Sequence, residues 1–140
     1  MNETNTPTEA YLKTLHEVRD ALLDLHKQLL EYQKGIYTAT IGPIETPGKY
    51  YDLVVNHDSF SWLKNLSVLI ISIDENLEME KPPDVPVIRG VFSYVKKLLT
   101  ATGHGDTFET NYVTALQKDG QVSVTHGKIM KLLDNQKQTT

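Results

Sequence analysis

The chain has 140 residues, 39% of them hydrophobic and 23% charged, enough for one folded domain with its own core and too apolar for wholesale disorder. Its formal net charge of −4 argues against a general binder of nucleic acid or anionic membrane, and neither partner is expected. The absence of cysteine excludes disulfides, thiolate metal sites and cysteine nucleophiles, and no cofactor is expected.

Residues 1–5 are polar and are expected to be a flexible tail, with no basic-then-apolar leader pattern in Met1 to Thr4. The densest apolar run, Val68 to Ile73, is too short to span a bilayer, so the expectation is a cytoplasmic protein. From Thr6 to Ile41 apolar residues recur at Tyr11, Leu15, Val18, Leu22, Leu25, Leu29, Tyr32, Ile36 and Ala39. The gaps alternate between 4 and 3, which holds one seam of a long α-helix toward a partner helix. Thr6, Pro7 and Glu9 form an N-terminal capping pattern, and Gly42-Pro43 is the stop. A second row at seven-residue spacing, His16, Leu23, Leu30 and Tyr37, broadens the apolar face and predicts contact from two sides, as in a bundle.

Thr46-Pro47 repeats the cap-then-proline pattern and opens a short helix to about Asn56. Tyr50 to Val55 is also rich in strand formers, but no second strand is available to pair with it. Asp58 is expected to cap one helix running to about Met79, with Leu63, Leu66, Ile70, Ile73 and Leu77 along its seam. Trp62, Val68, Leu69 and Ile71 make that helix apolar almost all round, which predicts a place at the centre of the fold. Pro82-Pro83 is a connection, and Asp84 caps a helix whose stripe is Ile88, Val91, Phe92, Val95, Leu98 and Leu99, ending near Ala101. Gly103-His104-Gly105 ends it, and Asp106 with Glu109 opens a short helix carrying Phe108, Tyr112, Val113 and Leu116. After a turn at Asp119-Gly120, a last helix runs from about Gln121 to Asp134 with Val122, His126, Ile129, Leu132 and Leu133 inward. Residues 135–140 read as a flexible tail. The fold expected is a single all-α domain over residues 1–140, a bundle of four main helices and two short ones with a long N-terminal helix.

The Gly42-Pro43 loop, the Phe60-x-Trp62-Leu63 pattern within the segment from His57 to Ser67, and the Ile73-Asp74-Glu75 end resemble a family of small helical bacterial proteins of unknown function. The resemblance covers most of the chain. It implies a compact helical fold and carries no activity or site residue with it.

Helical bundles build metal sites from inward side chains, but Glu-x-x-His and His-Glu-x-x-His are both absent. His16 and Asp20 stand four apart on one helix face and, with His126 from the last helix and Asp74 as an outer member, are the metal-ligand candidates. Against them, a histidine on an apolar face is commonly a hydrogen-bonded boundary residue. No nucleophile-elbow or phosphate-binding glycine pattern occurs. His104 lies between two glycines in a loop, and Lys96-Lys97 with Lys128 and Lys131 read as solvated helix surface. Tyr37, Tyr50 and Tyr51 are a candidate contact cluster.

The function expected is a non-enzymatic helical module that self-associates or binds another protein, most simply as a C2 homodimer. Tyr11, Leu15, Val18 and Leu22 are the expected interface, because the first helix is longer than short partner helices would cover. The alternative expectation is a metal- or small-ligand-binding bundle, with catalysis open.

Overall fold

Side-chain caps set several of the helix ends. The computed structural model describes residues 7–100 and 107–138. Within them the chain forms seven helices and no strand: α1 (Pro7–Thr40), α2 (Pro47–Asn56), α3 (Asp58–Ser61), α4 (Lys64–Glu78), α5 (Val85–Leu99), α6 (Thr107–Lys118) and α7 (Gly120–Gln138). The Thr6 cap, the end near Ala101, the Gly103-His104-Gly105 stop and the Asp106 cap lie outside the described residues.

The Thr46 hydroxyl accepts from the Lys49 amide at 3.1 Å and opens α2, and the Asp84 carboxylate accepts from the Val87 amide at 3.2 Å and opens α5. Asp119 accepts from the amides of Gln121 at 2.9 Å and Val122 at 3.2 Å. It therefore caps α7 one residue after α6 ends, and the joint needs no loop. At the end of α1 the Gly42 amide bonds back to the Tyr37 carbonyl at 3.2 Å, with φ at 155°, a backbone angle that a side chain would strain.

Two helix boundaries differ from expectation. The cap after α2 is His57, whose Nδ1 accepts from the Ser59 amide at 3.0 Å, and Asp58 is the first residue of α3. The helix expected from Asp58 to Met79 breaks at Trp62-Leu63, so α3 and α4 are separate elements and seven helices stand where six were expected. At the other end, α7 continues to Gln138, so residues 135–138, expected as tail, are helical.

α1 is the central element. It packs most extensively on α7 and then on α4 and α5, while α6 lies on α7 and α2 on α3. Leu15, Val18, Leu22, Leu25 and Leu29 are buried along it, together with Ile73 of α4, Ile88, Val95 and Leu99 of α5, and Ile129 of α7. Each such side chain contributes about 1.5–3 kcal/mol by leaving water. Past Leu29 the buried positions become Gln33 and Tyr37, with Tyr32 half-buried and Ile36 and Ala39 exposed. A strict 3.5-residue seam cannot stay on one side of a straight helix, because 3.6 residues per turn rotates it by about 20° per heptad. Of the second row, Tyr37 is buried and Leu30 half-buried, while His16 and Leu23 face outward.

α4 is not the central helix. Leu66, Leu69, Ile70 and Ile73 are buried, but Val68 is 65% exposed and Ile71 56% exposed. The centre is taken by α1, and no helix of the described residues covers the outer face of α4.

Candidate functional site

Three polar side chains of α1, one heptad apart, reach across to α4 and the turn before it. Arg19 Nη1 bonds Asp74 at 2.5 Å, His26 Nε2 meets the Ser67 hydroxyl at 2.7 Å, and Trp62 Nε1 donates to Gln33 Oε1 at 3.0 Å. The partner number falls as the α1 number rises, so the helices run antiparallel. With Leu15, Leu22 and Leu29 at heptad position a, the residues Arg19, His26 and Gln33 occupy position e. On α4, Ser67 and Asp74 fall at e of the seam formed by Leu63, Leu66, Ile70, Ile73 and Leu77. These are the flanking positions where coiled coils place pairs that fix register. Sequence reading missed the ladder, whose one local signal is the seven-residue spacing of Arg19, His26 and Gln33, and nothing local names α4 as its partner. Part-exposed ion pairs such as Arg19–Asp74 contribute about 0–1 kcal/mol, so register is its main effect.

Trp62 also begins an aromatic path. Its ring lies 5.8 Å from Phe108, Phe108 stacks on Tyr112 at 5.4 Å, and the Tyr112 hydroxyl meets His126 Nδ1 at 2.7 Å. The path ties the α3–α4 turn to α6 and α7. Burial raises the Tyr112 pKa, which keeps its hydroxyl protonated and able to donate.

These contacts account for most of the metal-ligand candidates. His126 is hydrogen-bonded to Tyr112, and Asp20 and Asp74 both bond Arg19, which stands between His16 and Asp20 in sequence. His16 is exposed. Among the described residues no three histidine, aspartate or glutamate side chains are grouped to hold an ion. The structure does not assemble His16, Asp20 and His126 into a site, and Ser67–His26 and Tyr112–His126 are side-chain links between packed helices.

Burial lowers the pKa of both His26 and His126 below 6.5. The unfolded chain therefore takes up these protons first on acidification. Stability is expected to be whole above pH 6.5 and to fall as pH drops below it and through the lowered folded-state values. Melting temperature against pH checks this: a His26→Gln/His126→Asn double variant should show a flatter fall between pH 7 and 5 than the wild type.

Of the other candidates, Tyr11, Leu15, Val18 and Leu22 are all buried within their own chain. Tyr11 lies 6.2 Å from Phe92 of α5. The surplus surface expected on α1 is absent, because α4, α5 and α7 cover it. Nor do the three tyrosines form one exposed cluster. Tyr37 is buried edge-on to His57, Tyr50 is half-buried with Lys34 over its ring, and only Tyr51 is open.

Exposed apolar side chains stand at several places, Tyr51 and Val124 among them, and one set flanks a groove between α4 and α5. Val68 and Ile71 stand on α4, with Val87 (46% exposed) and Tyr94 (52%) on α5. A groove of about 400 Å³ runs between the helices, lined by Val68, Leu69, Ser72, Val87, Gly90, Val91 and Tyr94. A Cβ on Gly90 would meet nothing within 4 Å. Glycine there costs about 1 kcal/mol of helix propensity against alanine, and no internal contact demands it. Sequence reading missed this face because it took the all-round apolar character of α4 as a sign of burial.

Among the described residues no helix is long and apolar enough to cross a membrane. Comparison with protein-family models, with curated proteins and with solved structures gave no match, so the functional reading rests on the chain's own residues.

Proposed function

We propose that this chain is a non-enzymatic helical module that works by protein–protein contact, with the α4–α5 groove as its working face. One observation carries the reading: Val68, Val87 and Tyr94 stand exposed along one groove between α4 and α5, with exposed Ile71 on the outer stripe of α4. Contiguous exposed apolar surface on a folded domain marks a place where another surface docks. Tyrosine at its edge supplies a large apolar ring with a polar tip, a residue type favoured at interfaces.

The test is photocrosslinking in the cell of origin, with benzoylphenylalanine placed at position 71 and, as a control, at exposed Lys13 on α1. A discrete protein–protein product at position 71 and none at 13 is expected. No product at 71, or equal products at both, overturns the reading.

A further inference from the structure

Resting on the α4–α5 face as the working surface, we infer that its occupant is a second copy of this chain, docked face to face about a two-fold axis. The order of charge along the face carries the inference. Val68 and Ser72 of α4 share the groove with Val87 and Tyr94 of α5, and the adjoining hollow is lined by Asn65, Tyr94 and Lys97. The two helices therefore run in opposite directions along the face, with the start of α4 beside the end of α5.

The outer stripe of α4 reads Lys64, Val68, Ile71, Glu75 and Glu78, at spacings of 4, 3, 4 and 3, and all five are exposed. On α5, Val87 and Tyr94 lead to exposed Lys97. The face thus has a basic end at Lys64 and Lys97, an apolar middle, and an acidic end at Glu75 and Glu78. Half-buried Glu109 borders the basic end, which keeps a net positive charge among these groups.

A surface ordered positive, apolar, negative repels a copy laid on it in parallel. It attracts a copy turned through 180° about the normal to the face. Lys64 then meets Glu75 and Glu78 on α4 of the other protomer, Lys97 adds to the positive field of the basic end, and the apolar middles of the two faces close on each other. This is an isologous contact, the commonest closed symmetry. A partner of uniform charge would gain at one end and lose at the other. Charges at the rim fix register and orientation around an apolar centre.

The experiment is sedimentation velocity over a concentration series, with two charge-reversed variants of the full chain. In Lys64→Glu/Lys97→Glu both ends become acidic, and in Glu75→Lys/Glu78→Lys both become basic. The wild type is expected to form a dimer that weakens as salt rises. Each variant alone is expected to dimerise about 100-fold more weakly. An equimolar mixture of the two is expected to recover a dimer containing one of each. All four positions are exposed, so melting temperatures should stay near that of the wild type, and Lys13→Glu/Lys128→Glu controls for net charge. A wild type that is monomeric throughout, a dimer indifferent to both reversals, or a mixture that fails to pair overturns the inference. A monomer whose position 71 still crosslinks to a different protein removes the second copy and leaves the contact face standing. A monomer with no product at 71 removes both.

Discussion

Leu22→Asp is expected to unfold the protein and not to release a folded monomer. Leu22 is fully buried on α1, the helix against which α4, α5 and α7 all pack. Removing a buried leucine side chain as far as alanine costs about 3–5 kcal/mol, because the lost transfer energy is joined by the cavity left behind. Aspartate also puts a carboxylate among buried leucines, and burying a charge costs several kcal/mol more. The sum approaches the whole stability of a typical domain, about 5–15 kcal/mol. Circular dichroism should show loss of helix at 25 °C. Leu23→Asp is the matched control, since Leu23 is 46% exposed on the same helix and should change stability by no more than about 0.5 kcal/mol. A Leu22→Asp protein that keeps its helix content and melting temperature would mean that this seam faces another molecule.

The second large effect is expected at Trp62. Its ring is buried at the α3–α4 turn against Phe108, and its indole N–H donates to Gln33 in the same buried region. Trp62→Ala should cost about 3–5 kcal/mol through the lost volume alone. Trp62→Phe separates the two contributions. The ring is largely kept, but Gln33 Oε1 loses its donor, at a cost of about 1–3 kcal/mol for an unsatisfied buried acceptor. Adding Gln33→Leu removes that acceptor and should recover part of the loss, so the double variant should be more stable than Trp62→Phe. Urea denaturation of the wild type, Trp62→Phe, Gln33→Leu and the double variant measures the coupling. Strict additivity of the two substitutions would show that the hydrogen bond does not link α1 to the turn.

Local chemistry was the legible part of the fold. Thr46-Pro47, Asp84-x-Pro86 and Asp119-Gly120 mark helix boundaries because a side-chain oxygen or a proline ring acts within three residues of itself. His57 was missed because its ring nitrogen caps α3 where the neighbouring Asp58 has the more familiar capping group. The break at Trp62-Leu63 was hidden because neither residue is a glycine or proline and both read as apolar positions of the same helix. The placement of α4 depended on something no local pattern holds. Val68 and Ile71 show that a face is apolar, whereas the number of neighbouring helices decides whether it is covered. For the same reason Tyr11, Leu15, Val18 and Leu22 were read as surplus surface, although the chain itself supplies the helices that bury them. Among the metal-ligand candidates, the spacing of His16 and Asp20 suits one helix face, yet Arg19 engages Asp20 and Asp74 together.

The most direct measurement is a dilution series followed by methyl NMR. The methyl signals of Val68, Ile71 and Val87 are expected to move with concentration, and those of Leu15, Val18 and Leu22 to stay fixed. Signals that move at Leu15, Val18 and Leu22 and stay fixed along α4 and α5 would place the contact on α1 and contradict the assignment of the α4–α5 face.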